Sequence, residues 1–428
     1  MTKARRAVEW IKSILIVLLL TSALLLGWRT QLFDDVVKAI PLIGSFAELV
    51  RSSSGAGATG GVSLKEAARP MCIVITNETG ARFGVKYDTD LRNTIYDRTS
   101  SIMGEALGSA SLPQEVDEEE WRAALAGPNI YFEYNSPVRL SILDGWLGTH
   151  IPEESGDIAL RRLFIAFSGN KSSIYLQEYE SGLFYHADTA SSAGKAQELD
   201  DYVPNGALFA YELEITGSDN APYMLIMPGQ QHPDVRTASA GSQVELLEAL
   251  VTALGHSNEP YTVQPERDRA LRRVGTQYSV VIDVNGRAVY RRTDAIAPGD
   301  GDITVNEREM IERARAIAAE TIGKTCGAAD VFFESMEMNS GNSYTALFGY
   351  YIAGGFVHLY DDRYAARITF TSGAITDVEL DFRSFAFTGE YEKLYLERQA
   401  LAASGGEFVL CYPDTGAELI KPVWVSVG

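Results

Sequence analysis

A chain of 428 residues with 57 acidic and 37 basic side chains carries a formal net charge of −20. That balance sets nucleic acid aside as a partner, because a binder needs clustered Lys/Arg to displace phosphate counterions, and it disfavours direct binding to anionic lipid or teichoic-type polymers. With 46% hydrophobic and 10% aromatic residues, the chain is not disordered and has the means to bury cores for two or three domains.

Trp10 to Trp28 reads as one membrane-spanning helix, uncharged from Ser13 onward. Its two tryptophans lie about 27 Å apart along a helix axis, close to the thickness of a bilayer's hydrocarbon core. Tryptophan at both ends suits the two interfacial belts. The span ends in Leu-Gly-Trp-Arg, a poor cleavage site, and no cysteine follows for lipidation, so the segment reads as an uncleaved anchor. Lys3, Arg5, Arg6 and Lys12 precede or open it, whereas Arg29 is followed by Asp34 and Asp35. The positive-inside bias puts residues 1–9 in the cytoplasm and the bulk of the chain outside the cell.

Gln31 to Arg51 is amphipathic, and Ser52 to Val62 is a flexible linker. Gly55 to Gly60 within it forms a G-x-G-x-x-G without the preceding strand that dinucleotide binding requires. Residues 29–62 thus read as stalk and linker. A first unit, 63–235, starts with a hairpin around Asn77-Glu-Thr-Gly80 and a helix over Asp88 to Leu107. A short helix capped by Asp117 and several strands follow, among them Ile130 to Tyr134 and Leu160 to Phe167. A middle unit, 236–297, opens with the capping box Ser242-Gln-Val-Glu245 and contains a hairpin turning at Asn285-Gly286. The last unit, 298–428, has a helix from Glu307 to Ile322 capped by Asn306. A meander with turns at Gly354-Gly355 and Ser372-Gly373 follows, its last strand spanning Ala374 to Phe385. Gly389 to Ala403 reads as a helix, and two closing strands end the chain. The expected class is α+β: one transmembrane helix, then an ectodomain of two to three units with antiparallel sheets and packed helices.

No motif converges on a reaction. His150, His186, His232, His256 and His358 show no metal-ligand spacing, and neither H-E-x-x-H nor G-x-S-x-G occurs. Ser192-Ala-Gly-Lys195 matches S-x-x-K, and Ser340-Gly-Asn342 resembles the second motif of penicillin-binding enzymes. However, Ser192 does not open an apolar helix, and no K-T-G follows. The acidic runs Glu118-Glu-Glu120, Asp200-Asp201, Asp300-Gly-Asp302 and Asp361-Asp362 read as solvated loops. Cys72, Cys326 and Cys411 lack C-x-x-C spacing and read as buried thiols, with a disulfide between two of them left open. No catalytic, cofactor or metal site is therefore expected.

Three stretches resemble the YycH/YycI family of membrane-anchored regulators of the WalK-type (YycG) sensor kinase in low-GC Gram-positive bacteria. They are the anchor itself, Gly275-Thr-Gln-Tyr-Ser-Val-Val-Ile-Asp-Val-Asn-Gly-Arg-Ala-Val-Tyr290 with the helix after it, and Tyr350 to Ala403. The length and the extra N-terminal unit look more like YycH than the shorter YycI, and residues 63 to about 227 carry the resemblance least. It implies a non-enzymatic protein that binds and modulates a sensor histidine kinase controlling cell-envelope homeostasis, with a paralogous YycH-like or YycI-like protein as a further candidate partner. The alternative is an anchored extracellular binding module or envelope-assembly factor unrelated to a kinase. Within the anchor, Ala23 and Gly27 form a small-xxx-small pair and Thr21 and Ser22 can hydrogen-bond in lipid, so these four are the candidate partner-binding residues.

Overall fold

Strict alternation of side chains builds the first layer. In the computed structural model the described residues are 64–192, 201–294, 306–339 and 342–427. The proposed anchor with Thr21, Ser22, Ala23 and Gly27, the stalk, the linker, Lys195, Asp200, Asp300-Gly-Asp302 and Ser340-Gly341 lie outside them. The described chain starts with α1 (Leu64–Ala67), β1 (Cys72–Thr76), β2 (Arg82–Val85), α2 (Thr89–Gly108), β3 (Gln114–Val116) and α3 (Glu118–Ala126). Next come β4 (Asn129–Arg139), α4 (Leu140–Leu147), β5 (Ala159–Ser168), β6 (Lys171–Glu178) and β7 (Phe184–Ser192). These strands make an antiparallel sheet in the order β2-β1-β4-β5-β6-β7-β3. Ile73, Ile75, Phe132, Leu163, Ile165 and Ile174 face a core shared with α2 and α4. Their neighbours Cys72, Val74, Tyr131, Phe164 and Tyr175 point the other way, around Trp121 of α3. The central strands are buried on both sides, which is why they read as continuous apolar runs.

The second layer follows β8 (Leu208–Phe209), β9 (Leu225–Ile226), β10 (His232–Ser239) and α5 (Gln243–Ala253). It comprises β11 (Thr262–Pro265), β12 (Leu271–Val274), β13 (Tyr278–Ile282), β14 (Arg287–Arg292), α6 (Glu307–Glu320), α7 (Ile322–Thr325), β15 (Asp330–Met338), β16 (Ser343–Ile352) and β17 (Gly355–Leu359). It continues with β18 (Ala366–Thr371), β19 (Ala374–Asp381), β20 (Arg383–Glu392), α8 (Glu397–Ser404), β21 (Phe408–Asp414), β22 (Leu419–Ile420) and β23 (Val423–Ser426). Ten of these strands run in the order β11-β12-β13-β14-β19-β18-β16-β17-β21-β23, and β15 pairs with β16. β20, β10 and β22 form a separate small sheet. Helix α6 ties the layers together: Met310, Ala314 and Ile317 pack with Val280, Ile368 and Phe370, while Ile311 enters the core beneath α2 and α4.

The α+β class with antiparallel sheets holds, with one parallel pairing, β17 on β21. The caps expected at Asp117, Ser242 and Asn306 are present, and Asp88 adds one that the sequence reading did not name. Asp88 accepts from Leu91 N at 2.9 Å and Asp117 from Glu120 N at 2.8 Å, and Asn306 caps α6 through Arg308 N at 3.0 Å. Two expectations change. The stretch from Gly389 is strand up to Glu392, because β20 pairs with β10 from Arg383 to Glu392; the helix is confined to α8. The strand expected from Ala374 to Phe385 is divided around the fully buried Phe382. All three cysteines are buried and free.

The β16–β17 hairpin tip locks the layers. Ala353 and Gly354 turn with φ of 47° and 73°. A Cβ on Gly354 would stand 2.5 Å from Lys86 O and 2.9 Å from Tyr87 Cα. Gly354→Val is therefore expected to cost about 2–4 kcal/mol, from left-handed strain plus a backbone clash. A urea midpoint unchanged from the parent would show that the tip is not seated on residues 86–87.

Candidate functional site

Three β-bulges gather the buried charges into the seam between the two layers. In β5 the register slips between Leu160 and Arg162, so Arg161 is an extra residue and consecutive arginines turn toward one side. Arg162 donates to Glu133 through Nε at 3.1 Å, and its Nη2 lies 2.9 Å from the same oxygen. Arg161 stands 2.6 Å from Glu407 and 3.6 Å from Glu133. In β4 the register shifts just past Glu133. In β15 it skips Glu334, which turns toward Tyr351 into space that a side chain at Gly349 would fill.

A second cluster continues the seam. Glu397, the first residue of α8, is 3% exposed. It accepts hydrogen bonds from the Tyr87 hydroxyl and from Met227 N, and Lys86 Nζ lies 3.4 Å away. Tyr87 meets His232 edge-on at 4.6 Å, and His232 meets Trp424 at 5.2 Å. Between the clusters lies a cavity of about 70 Å³, lined among others by Lys86, Glu133, Asn135, Arg161, Tyr351 and Glu407. It has volume for roughly two water molecules.

The electrostatics are those of a matched set: Lys86, Arg161 and Arg162 against Glu133, Glu397 and Glu407. Burial pushes the Glu133 carboxyl up, but Arg162, Arg161 and Lys86 outweigh it and hold it below its ordinary value. Burial, reinforced by Glu133, pushes the Cys72 thiol well up. Burial, with Lys86 nearby, lowers His232 to about 4, so the ring is neutral. Burial raises Glu334 to about 7, against the Tyr351 hydrogen bond. A thiol held protonated is a poor nucleophile, and Glu133 Oε1 is shared by two guanidinium groups. The arrangement can fix two layers in one register.

The residues singled out from the sequence do not join this seam, apart from Cys72 and His232. Ser192 ends β7 and Asn342 precedes β16. His186 lies 3.8 Å from Asp188, His256 2.7 Å from Glu259 and His358 3.3 Å from Asp362, each in a different place. Among the described residues no group of His, Cys, Asp and Glu is arranged to hold a metal ion, and no helix is long and apolar enough to cross a membrane. Sequence reading missed Lys86, Glu133, Arg161, Arg162, Glu397 and Glu407. The one signal was a charged doublet, Arg161-Arg162, inside an apolar strand.

One surface feature adds to the site. Tyr391, Tyr395 and Leu396 are more than half exposed. Tyr395 lies beside β23, whose Trp424 donates to its backbone oxygen at 2.9 Å. Val423 and Val425 of that strand are also exposed. By strand alternation these two valines face away from Trp424, so the exposed apolar side chains here lie on two faces.

No family model matches the sequence, and no curated protein matches it. Among solved structures the fold is similar to the crystal structure of YycH from Bacillus subtilis, with a TM-score of 0.56 and 13% identity, covering 85% of this chain and 94% of that one. The chain has a YycH-like fold.

Proposed function

We propose that this chain is a membrane-anchored regulatory protein that binds a sensor histidine kinase controlling the cell envelope and shifts its signalling equilibrium, catalysing no reaction itself. The observation that supports this best is the YycH-like fold over most of the chain, joined to the charge-free apolar run before Trp28. Such a regulator acts only by binding one kinase state better than another. In this reading the N-terminus is cytoplasmic, and Thr21, Ser22, Ala23 and Gly27 meet the kinase's own membrane helices. Outside, the Tyr391–Leu396 surface meets its extracellular part or a paralogous partner.

Crosslinking of the full-length protein in membranes, followed by pull-down, tests the reading. The parent chain is expected to recover a histidine kinase. Ala23→Leu combined with Gly27→Leu is expected to cut that recovery several-fold, since small residues set helix approach in lipid. Tyr395→Glu is expected to weaken the outer half of the contact. Recovery of no histidine kinase by the parent overturns the function; recovery unchanged in the leucine pair removes the helix from the contact.

A further inference from the structure

A second cleft, away from the charged seam, has the make-up of a ligand site. It lies between α1, the end of α4, the C-terminal half of α6 with α7, and the start of β15, and its volume is about 280 Å³. Its walls include Ala67, Trp146, Ala318, Cys326, Phe333 and Phe348. Trp146, Ala318 and Phe348 are almost fully buried, whereas Val331, Phe332 and Phe333 of β15 are only partly covered. The charged lining comes from Glu66, Arg69, Arg315 and Asp330.

Arg69 is the telling residue among these. Its Nη2 lies 3.1 Å from Glu66 Oε1. Its Nε is buried and has no hydrogen-bond partner among the described residues. A buried donor on a guanidinium without an acceptor is costly. Here the donor belongs to a side chain that lines unfilled apolar space, so an acceptor arriving through the cleft would satisfy it. The neighbouring charges limit what can arrive. Asp330 lies 3.4 Å from Arg92, and Glu66 is beside Arg69. Glu66 and Asp330 balance Arg69 and Arg315 in the lining, so a phosphate dianion would bring two uncompensated charges and a single carboxylate only one. The volume holds roughly ten to twelve non-hydrogen atoms at interior packing density.

We propose that this cleft binds a small monocarboxylic acid with an apolar body, its carboxylate on Arg69 and its body against Trp146, Phe333 and Phe348. The proposal is independent of the kinase reading. The apolar body has two possible sources, an aliphatic chain or an aromatic ring, and octanoate and 4-phenylbutyrate represent them. Both are soluble and neither needs micelles.

The test uses full-length protein in lipid nanodiscs, with empty nanodiscs as the control, and saturation-transfer NMR of each probe. At least one probe is expected to bind saturably, with a Kd on the order of 100 µM for a ligand of this size. Arg69→Ala is expected to weaken it about tenfold, and 1-octanol, which lacks the charge, is expected to bind the parent about tenfold less well than octanoate. Ala318→Phe or Ala319→Phe is expected to abolish binding by filling the cleft, thermal melts identifying whichever variant keeps its fold. The probe that binds identifies the body as aliphatic or aromatic. Absence of saturable binding by both probes up to about 5 mM, or binding unchanged in a folded cleft-filling variant, overturns the proposal.

Discussion

Glu133→Ala is expected to destabilise the protein by about 3–5 kcal/mol, the cost of breaking a buried ion pair by removing one partner. Glu133 is 8% exposed and is the carboxylate shared by Arg161 and Arg162. Without it the two guanidinium groups keep Glu407 as a carboxylate partner, at 2.6 Å and 3.6 Å, and Arg162 keeps the Gln177 side-chain oxygen at 3.4 Å. A loss of this size is a large share of the whole stability of an ordinary domain. It should appear as a lower urea midpoint with an unchanged slope. The pH dependence has a definite sign. The folded carboxyl is held below its ordinary value of 4.5, so its contribution is complete above that value and is lost as pH falls through the folded one. Glu133→Gln should flatten that part of the acid limb. A limb identical to the parent's would mean that Glu133 does not ionise within the fold.

Glu334 acts in the opposite sense, and its replacement is expected to stabilise. Burial raises its folded carboxyl from 4.5 to about 7. Both states are protonated at low pH, where the side chain contributes no difference. As pH rises from 4.5 through 7, the unfolded chain ionises first and stability is lost. The loss amounts to about 3 kcal/mol above pH 7, at about 1.4 kcal/mol per pH unit. Glu334→Gln removes that charge and keeps the shape. It should therefore raise the melting temperature at pH 8 and leave it unchanged near pH 4. The groups acting on Glu334 and its neighbours are the hydroxyls of Tyr351 and Tyr364, with Asn135, Arg161, Glu337 and Arg367 around them. Melting curves of parent and variant that stay parallel from pH 4 to 8 would show that Glu334 is not buried as a neutral acid.

Local chemistry was readable in the sequence. Asp117, Ser242 and Asn306 cap the helices expected of them, and Asn285-Gly286 turns a hairpin whose strands pair from Tyr278 to Arg292. These signals act over a few residues and need no partner elsewhere. What could not be read depends on distant chain. Helix α4 has no side-chain cap at its start, so Leu-Ser-Ile-Leu carries no boundary signal; it ends at Gly148 in the left-handed region. Residues 389–392 look helical in isolation and become strand because His232 and Pro233 pair with them. The seam was invisible for a stronger reason. Glu133, Glu397 and Glu407 look like any solvated carboxylates until the bulge at Arg161 and the start of α8 aim their partners at them. Thr21, Ser22, Ala23 and Gly27, expected to lie in a membrane helix, are outside the described residues.

The Lys86–Glu397 contact joins residues separated by 311 positions, and Arg161 waits for Glu407 in the same way. The order of synthesis then matters. An emerging chain completes the strands of its first sheet long before it has made the acids that neutralise two of that sheet's cations. Until the last stretch leaves the ribosome, Lys86 has no Glu397 and Arg161 has no Glu407, so both cations stay hydrated. Contacts of such long sequence separation slow folding and keep apolar surface exposed meanwhile. The core beneath the first sheet is made almost wholly of early residues, with Ile311 added later, so it is the charged seam, more than that core, that waits for the end of the chain.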